Sequence, residues 1–201
     1  MVLVNTSGFK VLFVCTGNIC RSPLSEFLLR DRLKSIDSNT SVSSAGTQAL
    51  IGGDIPEEIK NFSRSHNVEI EEHAPRQITA GMIGNADLVL TAERSHRSEV
   101  VSLVPRASAK TFTLNQFARL ALQHEQAITE GNLAQPHVNN LSELITELAD
   151  FRSIATPPEQ PNYDDIDDPY RKSVEDYQTA GEEILKAVDI AAVILRKYSL
   201  R

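Results

Sequence analysis

The chain of 201 residues, with 41% hydrophobic and 23% charged residues, has an ordinary globular composition, which excludes a disordered or fibrous protein and fits one domain. Its formal net charge of -7 argues against a nucleic-acid binder, since phosphate neutralisation needs an excess of Lys and Arg. No run of about 18 apolar residues predicts a membrane span. The opening apolar run, residues 1–4, is too short for a signal peptide, so we expect a cytoplasmic protein.

The first predicted elements are a strand and a helix joined by a short loop. Residues 9–14 form an apolar run broken only by Lys10, which is typical of a buried strand, and Cys15 follows it directly. Ser22 and Pro23 then match an N-cap residue and the first position of a helix. The sequence therefore predicts a strand, a loop and a helix in immediate succession.

Strands and helices continue to alternate along much of the remaining chain. Further strands are predicted at 41–45, 87–91 and 110–114, and further helices at 56–66, 93–103 and 174–198. This alternation is typical of a parallel sheet with helices on both faces. We therefore predict an α/β fold.

Residues 115–162, here called the insertion, interrupt this alternation, and we interpret them as a helical element within a single domain of residues 1–201. Prolines at 136, 157, 158 and 161 indicate that the stretches around its helices are connections. The apolar stripe of its second helix must be buried, either on the same chain or against a partner. Helical spacing is seen in two groups of residues: Phe117, Leu120, Ala121 and Ile128, then Leu141, Leu144, Ile145 and Leu148.

The loop after the first strand, residues 15–22, is here called the cysteine loop. A loop that opens a helix presents successive backbone N–H groups, and the helix N-terminus adds positive potential, so we expect it to bind a dianionic oxyanion. The same potential favours the thiolate form of Cys15, which is the nucleophilic form. Arg21 adds a planar, permanently charged fork that matches two phosphoryl oxygens. The alternative is a small buried cysteine beside a solvated arginine.

Neither a metal nor a cofactor is predicted. The chain has two cysteines, Cys15 and Cys20, which are too few for a disulfide framework. Its five histidines are scattered, and no Cys or His spacing matches a metal site. The two thiols therefore require another explanation.

The segment from Val11 to Pro23, VLFVCTGNICRSP, resembles the signature of the low-molecular-weight protein tyrosine phosphatases, and Asp168-Pro169-Tyr170 resembles their general-acid loop. The resemblance covers most of the chain except the insertion. It implies a flavodoxin-like three-layer fold with a four-stranded parallel sheet in the order 2-1-3-4. It also implies hydrolysis of phosphotyrosine in proteins through a phosphocysteine intermediate, without a cofactor. In such a sheet ligands bind beyond the carboxyl end of the first strand, where the cysteine loop lies.

The resemblance also implies roles for single residues. Cys15 is the nucleophile, Arg21 binds the phosphate and the transition state, and Ser22 forms a hydrogen bond with the sulfur and eases its departure. Asn18 locks the loop through a serine and a histidine elsewhere in the chain. Cys20 is implied to form a reversible disulfide with the nucleophile, and the alternative is a small buried hydrophobic residue. The remaining residues implied are Thr16, Gly17 and Ile19 in the phosphate-binding loop, and Ser44 and His73 as the partners of Asn18.

The acidic loop, residues 164–170, holds the expected general acid. Tyrosine leaves as a phenolate with a pKa of about 10, so an acid must protonate it as the P–O bond breaks. The resemblance places Asp168 in this role, and the same carboxylate can then activate water. Repulsion among the four carboxylates of the loop is expected to favour a protonated acid. The alternative interpretation is a solvated acidic loop with some affinity for cations.

The walls of the implied pocket bear on specificity. Tyr170 resembles the aromatic wall for a phosphotyrosine ring, or it belongs to the core. The run 171–173 is similar to bacterial members associated with exopolysaccharide systems, whose substrates are tyrosine kinases. Residues 47–51 contain no aromatic where many members carry one. Ile19 stands where relatives that act on phosphoarginine carry Thr, and its bulk favours phosphotyrosine.

Three other functions stay open. An arsenate reductase of this fold would need an external thiol, because no cysteine follows Cys20. A phosphoarginine phosphatase and a non-catalytic phosphotyrosine-binding module are the others, and the presence of Cys15, Arg21 and Asp168 argues against the binding module. The expected partner is a phosphotyrosine protein, with a bacterial tyrosine kinase as a candidate, and neither nucleic acid nor a membrane is expected.

Overall fold

The computed structural model describes residues 8–34, 40–133 and 138–199. The N-terminal run 1–4 and Pro136, both used above, therefore lie outside the described residues. The four strands are β1 (Lys10–Cys15), β2 (Ser41–Gly46), β3 (Leu88–Thr91) and β4 (Thr111–Thr113).

Seven α-helices and two short 3-10 helices occupy much of the rest of the described chain. Thr79 caps the third α-helix by accepting a hydrogen bond from the backbone N–H of Met82, and this helix is not predicted because six residues are too few to show a periodicity. Within the described ranges, no helix combines the length and the apolar composition needed to cross a membrane. The α-helices are α1 (Arg21–Leu33), α2 (Glu57–Ser65), α3 (Ala80–Asn85), α4 (Arg94–Leu103), α5 (Leu114–Thr129), α6 (Leu141–Phe151) and α7 (Val174–Ser199), and the 3-10 helices are Pro105–Lys110 and Pro161–Asp164.

The strands form one parallel sheet in the order β2-β1-β3-β4, which confirms the predicted flavodoxin-like fold. The alternation of side chains along β1 explains why both faces of the sheet are covered. Val11 and Phe13 pack into the larger core with α1, α2, α5, α6 and α7, whereas Leu12 and Val14 pack into the smaller core with α3 and α4. β1 is central, and Cys15 is its last residue, so the cysteine loop begins at the carboxyl edge of the sheet.

The structure corrects the predicted start of α1. The helix begins at Arg21 with Cys20 at the N-cap position, and no side chain caps it. Ser22 is not an N-cap residue, because its hydroxyl faces Cys15 and Asn18 instead. Pro23 remains within the first turn, where a helix tolerates the missing backbone N–H.

The helices of the insertion pack on the rest of the chain. α5 lies along α7, and α6 contacts α5, α7 and the 3-10 helix Pro105–Lys110. The guanidinium of Arg152 lies 4.2 Å from the ring centroid of Phe112, at the end of α6. The apolar stripe of α6 is therefore buried on the same chain, which is the first of the two alternatives. The stripe consists of Leu141, Leu144, Ile145 and Leu148, all in the larger core.

Candidate active site

The cysteine loop turns its carbonyl groups away from its centre. The carbonyl oxygens of Cys15, Thr16 and Gly17 accept hydrogen bonds from backbone N–H groups of the segment 47–50, each at 2.9 Å. The carbonyl of Asn18 accepts from Nε2 of His73 at 2.8 Å. Because C=O and N–H point in opposite directions in a trans peptide, the N–H groups of the same four peptides face the centre of the loop. This arrangement can bind an oxyanion.

A glycine allows this segment to approach the loop. A Cβ atom on Gly46 would lie 2.4 Å from the carbonyl oxygen of Thr16, so a larger residue there would displace the backbone. Gly46 also pairs with Cys15 in the register of β1 and β2. The close approach therefore follows from the end of the sheet itself.

Asn18 holds the loop in its conformation. Its φ of 56° lies in the left-handed region, which asparagine adopts more readily than most residues. Its Nδ2 donates to Oγ of Ser22 at 2.9 Å and to Oγ of Ser44 at 2.8 Å, and its Oδ1 accepts from the N–H of Arg76 at 3.0 Å. Asn18 is fully buried, so these contacts fix both the strained backbone and the Ser22 hydroxyl. His73 contacts the backbone of Asn18, not its side chain.

The Ser22 hydroxyl lies 3.0 Å from Sγ of Cys15. Because Oγ of Ser22 already accepts from Asn18, its own proton can go to the sulfur or to the more distant carbonyl of Ala45, at 3.4 Å. A hydroxyl donor beside a thiolate stabilises the negative charge, as it would for a sulfur that leaves phosphorus. The structure therefore places Cys15, Asn18 and Ser22 in the contacts that the sequence resemblance implies.

Arg21 is buried, and its guanidinium is held in place by hydrogen bonds from Nη1. Its side chain is 2% exposed, and Nη1 donates to a carboxylate oxygen of Glu93 and, at 2.7 Å, to the carbonyl of Ile166. Nη2 lies 3.1 Å from Oδ2 of Asp168. Nε is buried and has no partner among the described residues. The Nε–Nη2 edge is thus the edge that can take two oxygens of a bound oxyanion.

Glu93 and His96 also lie at the site, although they are absent from the residues singled out in the sequence. Partial burial favours a neutral Glu93, but the hydrogen bond and the charge of Arg21 outweigh it and lower the pKa of Glu93. His96 Nε2 lies 2.8 Å from Oγ1 of Thr16, and burial together with the charge of Arg21 lowers the pKa of His96. Both residues follow β3 at the carboxyl edge of the sheet, where ligands bind in such folds. Their position just after a predicted strand could therefore have indicated them as site residues.

The carboxylates of the acidic loop do not form one repelling cluster, which corrects the expectation above. Three of them pair with different arginines: Arg119 with Asp164, Arg94 with Asp165 and Arg21 with Asp168. Each guanidinium offsets the charge of its partner, so repulsion within the loop does not distinguish Asp168 from its neighbours. Asp168 is distinguished from its neighbours by its position beside Arg21.

Aliphatic side chains line the approach to the loop where an aromatic wall is absent. A Cβ atom on Gly17 would lie 3.4 Å from both Cγ1 of Ile19 and Cδ1 of Leu50, so these two side chains lie at the same point of the loop. Ile19 is 4% exposed, whereas Leu50 is 41% exposed. Tyr170 is partly buried against the larger core, with the Arg171 guanidinium 5.0 Å from its ring centroid. Leu50, at the entrance to the cysteine loop, is a site residue that the sequence does not predict.

Cys20 differs from Cys15 in its electrostatic surroundings. Both cysteines are buried and neither forms a disulfide in the structure. Burial raises the pKa of Cys20 far above its usual value, and the nearby Cys15 and Asp168 add to this effect. Cys20 is therefore neutral near physiological pH, which makes it a poor nucleophile.

We expect iodoacetamide at neutral pH to alkylate Cys15 and to leave Cys20 unmodified in the folded protein. The reason is that the thiolate is the reactive form, and burial keeps Cys20 neutral, whereas the Ser22 hydroxyl at 3.0 Å can stabilise a thiolate at Cys15. Peptide mass spectrometry after brief labelling measures both sites, and inorganic phosphate should protect Cys15. Equal labelling of the two cysteines would contradict this assignment.

The positive groups of the site belong to the protein itself. Across residues 8–34, 40–133 and 138–199, no group of three or more His, Cys, Asp or Glu side chains is arranged to hold a metal ion. Its positive groups are instead the backbone amides, the N-terminus of α1 and Arg21.

Comparison with known proteins identifies the family to which this arrangement belongs. The sequence model described as low molecular weight phosphotyrosine protein phosphatase matches residues 10–149. The low molecular weight protein-tyrosine-phosphatase Etp of Escherichia coli K12 is 39% identical over 108 residues, which are 54% of this chain and 70% of that protein. A probable low molecular weight protein-tyrosine-phosphatase of Erwinia amylovora, AmsI, is 33% identical over 145 residues, which are 66% of this chain and 97% of that protein.

Solved structures agree in fold. The YwlE arginine phosphatase of Geobacillus stearothermophilus superposes with a TM-score of 0.66 and 26% identity, over 94% of this chain and 94% of that one. The family match covers well over half of the chain and includes the whole cysteine loop, and it ends before the acidic loop. The chain therefore belongs to the low molecular weight phosphotyrosine protein phosphatase family.

Proposed function

We propose that this protein hydrolyses phosphotyrosine in proteins through a phosphocysteine intermediate. The observation that carries the proposal is the convergence of three groups: the Cys15 thiol on an amide-lined loop, the buried Arg21, and Asp168 at 3.1 Å from Arg21. Nucleophile, anion-binding groups and acid are thus brought together although Asp168 is distant in sequence. No metal takes part in the proposed reaction.

Substrate binding rearranges the contacts of Arg21. A phosphate dianion in the cysteine loop would take the N–H groups of the loop and the Nε–Nη2 edge of Arg21, while Glu93 and Ile166 keep hold of Nη1. Asp168 then gives up Nη2 and faces the ester oxygen. The proposed reaction requires Asp168 to carry a proton at this stage, as a general acid does.

The first step transfers the phosphoryl group to sulfur. The Cys15 thiolate attacks phosphorus, an S–P bond forms, and the bond between phosphorus and the phenolic oxygen breaks. Asp168 gives its proton to that oxygen, so that tyrosine leaves as a neutral phenol. The amides of the loop and Arg21 stabilise the charge on the three remaining oxygens.

The second step returns the enzyme to its starting state. The Asp168 carboxylate takes a proton from water as the water oxygen attacks phosphorus, and the S–P bond breaks. Sulfur leaves with its electron pair as a thiolate, which the Ser22 hydroxyl stabilises from 3.0 Å. Inorganic phosphate is the second product. Asp168 therefore acts first as an acid and then as a base.

The surroundings of the loop support an aromatic phosphoester as the substrate. Leu50 and Ile19 offer apolar surface beside Gly17 of the loop, and Tyr170, two residues after Asp168, is the aromatic side chain expected to contact a phenyl ring. We infer a phosphotyrosine protein as the partner. The run that follows Tyr170, which resembles that of exopolysaccharide-associated members, favours a bacterial tyrosine kinase as this substrate, and such a partner implies a cytoplasmic location.

Phosphoarginine is the second candidate substrate. The observation that favours it is the similarity to the YwlE arginine phosphatase at 26% identity. Ile19 argues against it, because an aliphatic side chain at the base of the site offers no hydrogen-bond acceptor to a guanidinium N–H. Leu50 is equally apolar.

We expect the protein to hydrolyse para-nitrophenyl phosphate and phosphotyrosine peptides. The value of kcat/KM for phosphotyrosine should be at least about 100-fold above that for phosphoserine or phosphoarginine peptides, since the proposed substrate ring contacts apolar side chains. Ile19→Thr should raise the relative rate on phosphoarginine. Phosphate release from the three peptide series measures the ratios. Metal chelation should leave the rates unchanged.

A control uses the same substitution at an exposed isoleucine. Ile51 is 70% exposed in the same loop as Leu50, so Ile51→Thr should leave the substrate ratios as they are. Comparable hydrolysis of all three peptides by the unmodified protein would refute the aromatic pocket. Arsenate-dependent thiol oxidation without phosphoester hydrolysis would instead indicate the arsenate reductase.

A further inference from the structure

Three consecutive residues before the expected general acid are each held by an arginine of a different helix. They lie at the junction between the 3-10 helix Pro161–Asp164 and a segment with neither helix nor strand, which continues to α7. Segments of this kind have few internal hydrogen bonds and need external contacts to hold one position. The three pairs, here called the arginine clamp, are Arg119 with Asp164, Arg94 with Asp165, and Arg21 with the carbonyl of Ile166.

The pair of Arg119 and Asp164 ties the acidic loop to the insertion. Nε and Nη2 of Arg119 donate to the two carboxylate oxygens of Asp164 at 3.1 and 2.7 Å, and the Asp164 side chain is only 7% exposed. Nη1 of Arg119 donates to the carbonyl of Thr156 at 2.8 Å, and Gln123 brackets the same residue with two further hydrogen bonds. One arginine of α5 thus fixes two points on the chain that leads to Asp168.

The pair of Arg94 and Asp165 ties the same loop to α4. The backbone N–H of Arg94 donates to Oδ1 of Asp165 at 2.8 Å, and its guanidinium contacts both oxygens at 2.8 to 3.1 Å. α4 has no side-chain cap of its own, so Asp165 takes the place of an N-cap residue from outside the helix. This contact sets where the loop crosses the start of α4.

Ile166 is the third fixed point and leads directly to the active site. Its N–H donates to the carbonyl of Ala92 at 2.9 Å, its carbonyl accepts from Nη1 of Arg21 at 2.7 Å, and its side chain is buried. Asp168 follows two residues later and is itself half-buried at the mouth of the site. The clamp therefore determines where the Asp168 carboxyl can reach.

We propose that Arg119 and Asp164 are positioning residues for the general acid, so that α5 of the insertion assists catalysis without touching the substrate. The inference rests on the proposed function, in which Asp168 protonates the leaving group. Proton transfer requires the acid within hydrogen-bond distance of the ester oxygen, and a displacement of about 1 Å can cost 100-fold in rate. Loss of the buried pair frees the loop four residues before Asp168.

The test compares leaving groups in the full-length protein. In Arg119→Gln, kcat on phenyl phosphate should fall about tenfold, a part of the 10²- to 10⁴-fold that a general acid supplies, while kcat on para-nitrophenyl phosphate should change less than about threefold. A smaller folded fraction would lower both rates equally. The ratio of the two rates therefore reports only how well Asp168 reaches and protonates the leaving group. Arg119→Lys, which keeps the charge but cannot span two oxygens, should recover only part of the ratio.

A distant ion pair supplies the matched control. Arg32 of α1 donates from Nε to Asp189 of α7 at 2.8 Å and has no hydrogen bond to the acidic loop, so Arg32→Gln removes an ion pair between helices, although a more exposed one. Its leaving-group ratio should equal that of the unmodified protein. If Arg119→Gln does not fold, Asp164→Asn is measured in its place, because asparagine keeps the size of the side chain but replaces one of the two acceptor oxygens with an N–H donor and so breaks the two-oxygen contact with Arg119.

A double variant separates failure of this inference from failure of the proposed function. In an Asp168→Asn background, Arg119→Gln should not change the leaving-group ratio further, since the acid is already absent. A ratio that is unchanged by Arg119→Gln or Asp164→Asn alone, or is changed as much by Arg32→Gln, overturns the inference while the phosphatase activity stands. Absence of any phosphoester hydrolysis by the unmodified protein overturns the proposed function.

Discussion

Replacement of Cys15 by serine should abolish turnover while the protein still binds phosphate. The sulfur is the expected nucleophile, and removal of a catalytic nucleophile costs up to roughly 10⁶-fold in other enzymes, so we expect a loss of about 10⁴-fold or more in kcat on para-nitrophenyl phosphate. The inward-facing amides and Arg21 are unaffected by this change. Phosphate should therefore still raise the melting temperature of Cys15→Ser.

The comparison with Arg21 separates binding from attack. Arg21→Ala should lose both turnover and phosphate-dependent stabilisation, because the Nε–Nη2 edge of this buried guanidinium is the edge that can take two oxygens of the phosphate. Arg21→Lys, which keeps the charge without the planar fork, covers the case in which the alanine variant does not fold. Cys20→Ser leaves the nucleophile in place and should retain measurable turnover. Metal-dependent activity in Cys15→Ser would contradict the phosphocysteine mechanism.

The nucleophile and its loop can be predicted from the sequence because they are local. Cys15, Arg21 and Ser22 lie within eight residues between one strand and one helix, and the apolar run of β1 and the helical spacing after Pro23 fix both neighbours. The parallel sheet likewise follows from the alternation of strands and helices. Such features depend on short segments whose conformations are determined by their own composition.

The partners of these residues cannot be predicted in the same way, because they depend on tertiary packing. The sequence shows four carboxylates in the acidic loop and thirteen arginines, and nothing in their spacing indicates that Arg119 contacts Asp164 or that Arg94 contacts Asp165. The N-cap role predicted for Ser22 is likewise wrong, whereas the contact of its hydroxyl with Cys15 is the one that the resemblance implies. That residues 115–162 are a unit inserted into a single domain stays a prediction. The apolar stripe of α6, in contrast, is buried in the structure.

Replacement of Asp168 by asparagine should slow the reaction according to the leaving group. A phenolate is a strong base and needs a proton, so kcat on phenyl phosphate should fall about 10²- to 10³-fold, within the range that a general acid supplies. The nitrophenolate is a far weaker base that leaves without a proton, so the loss on para-nitrophenyl phosphate should be about tenfold or less. Steady-state kinetics with a series of substituted phenyl phosphates measures this dependence.

Asp167 supplies the matched control, since it is the adjacent carboxylate and is exposed. Asp167→Asn should leave the dependence on the leaving group unchanged, because its side chain has no contact with Arg21 that would bring it to the ester oxygen. The reverse pattern, with a steep dependence in Asp167→Asn and none in Asp168→Asn, would move the acid by one residue and would require the loop to turn over when substrate binds. Equal losses on all esters in Asp168→Asn would show instead that Asp168 acts through its ion pair with Arg21. Phosphate affinity distinguishes the two roles of Asp168. Loss of the acid alone leaves phosphate binding unchanged, whereas displacement of Arg21 weakens it.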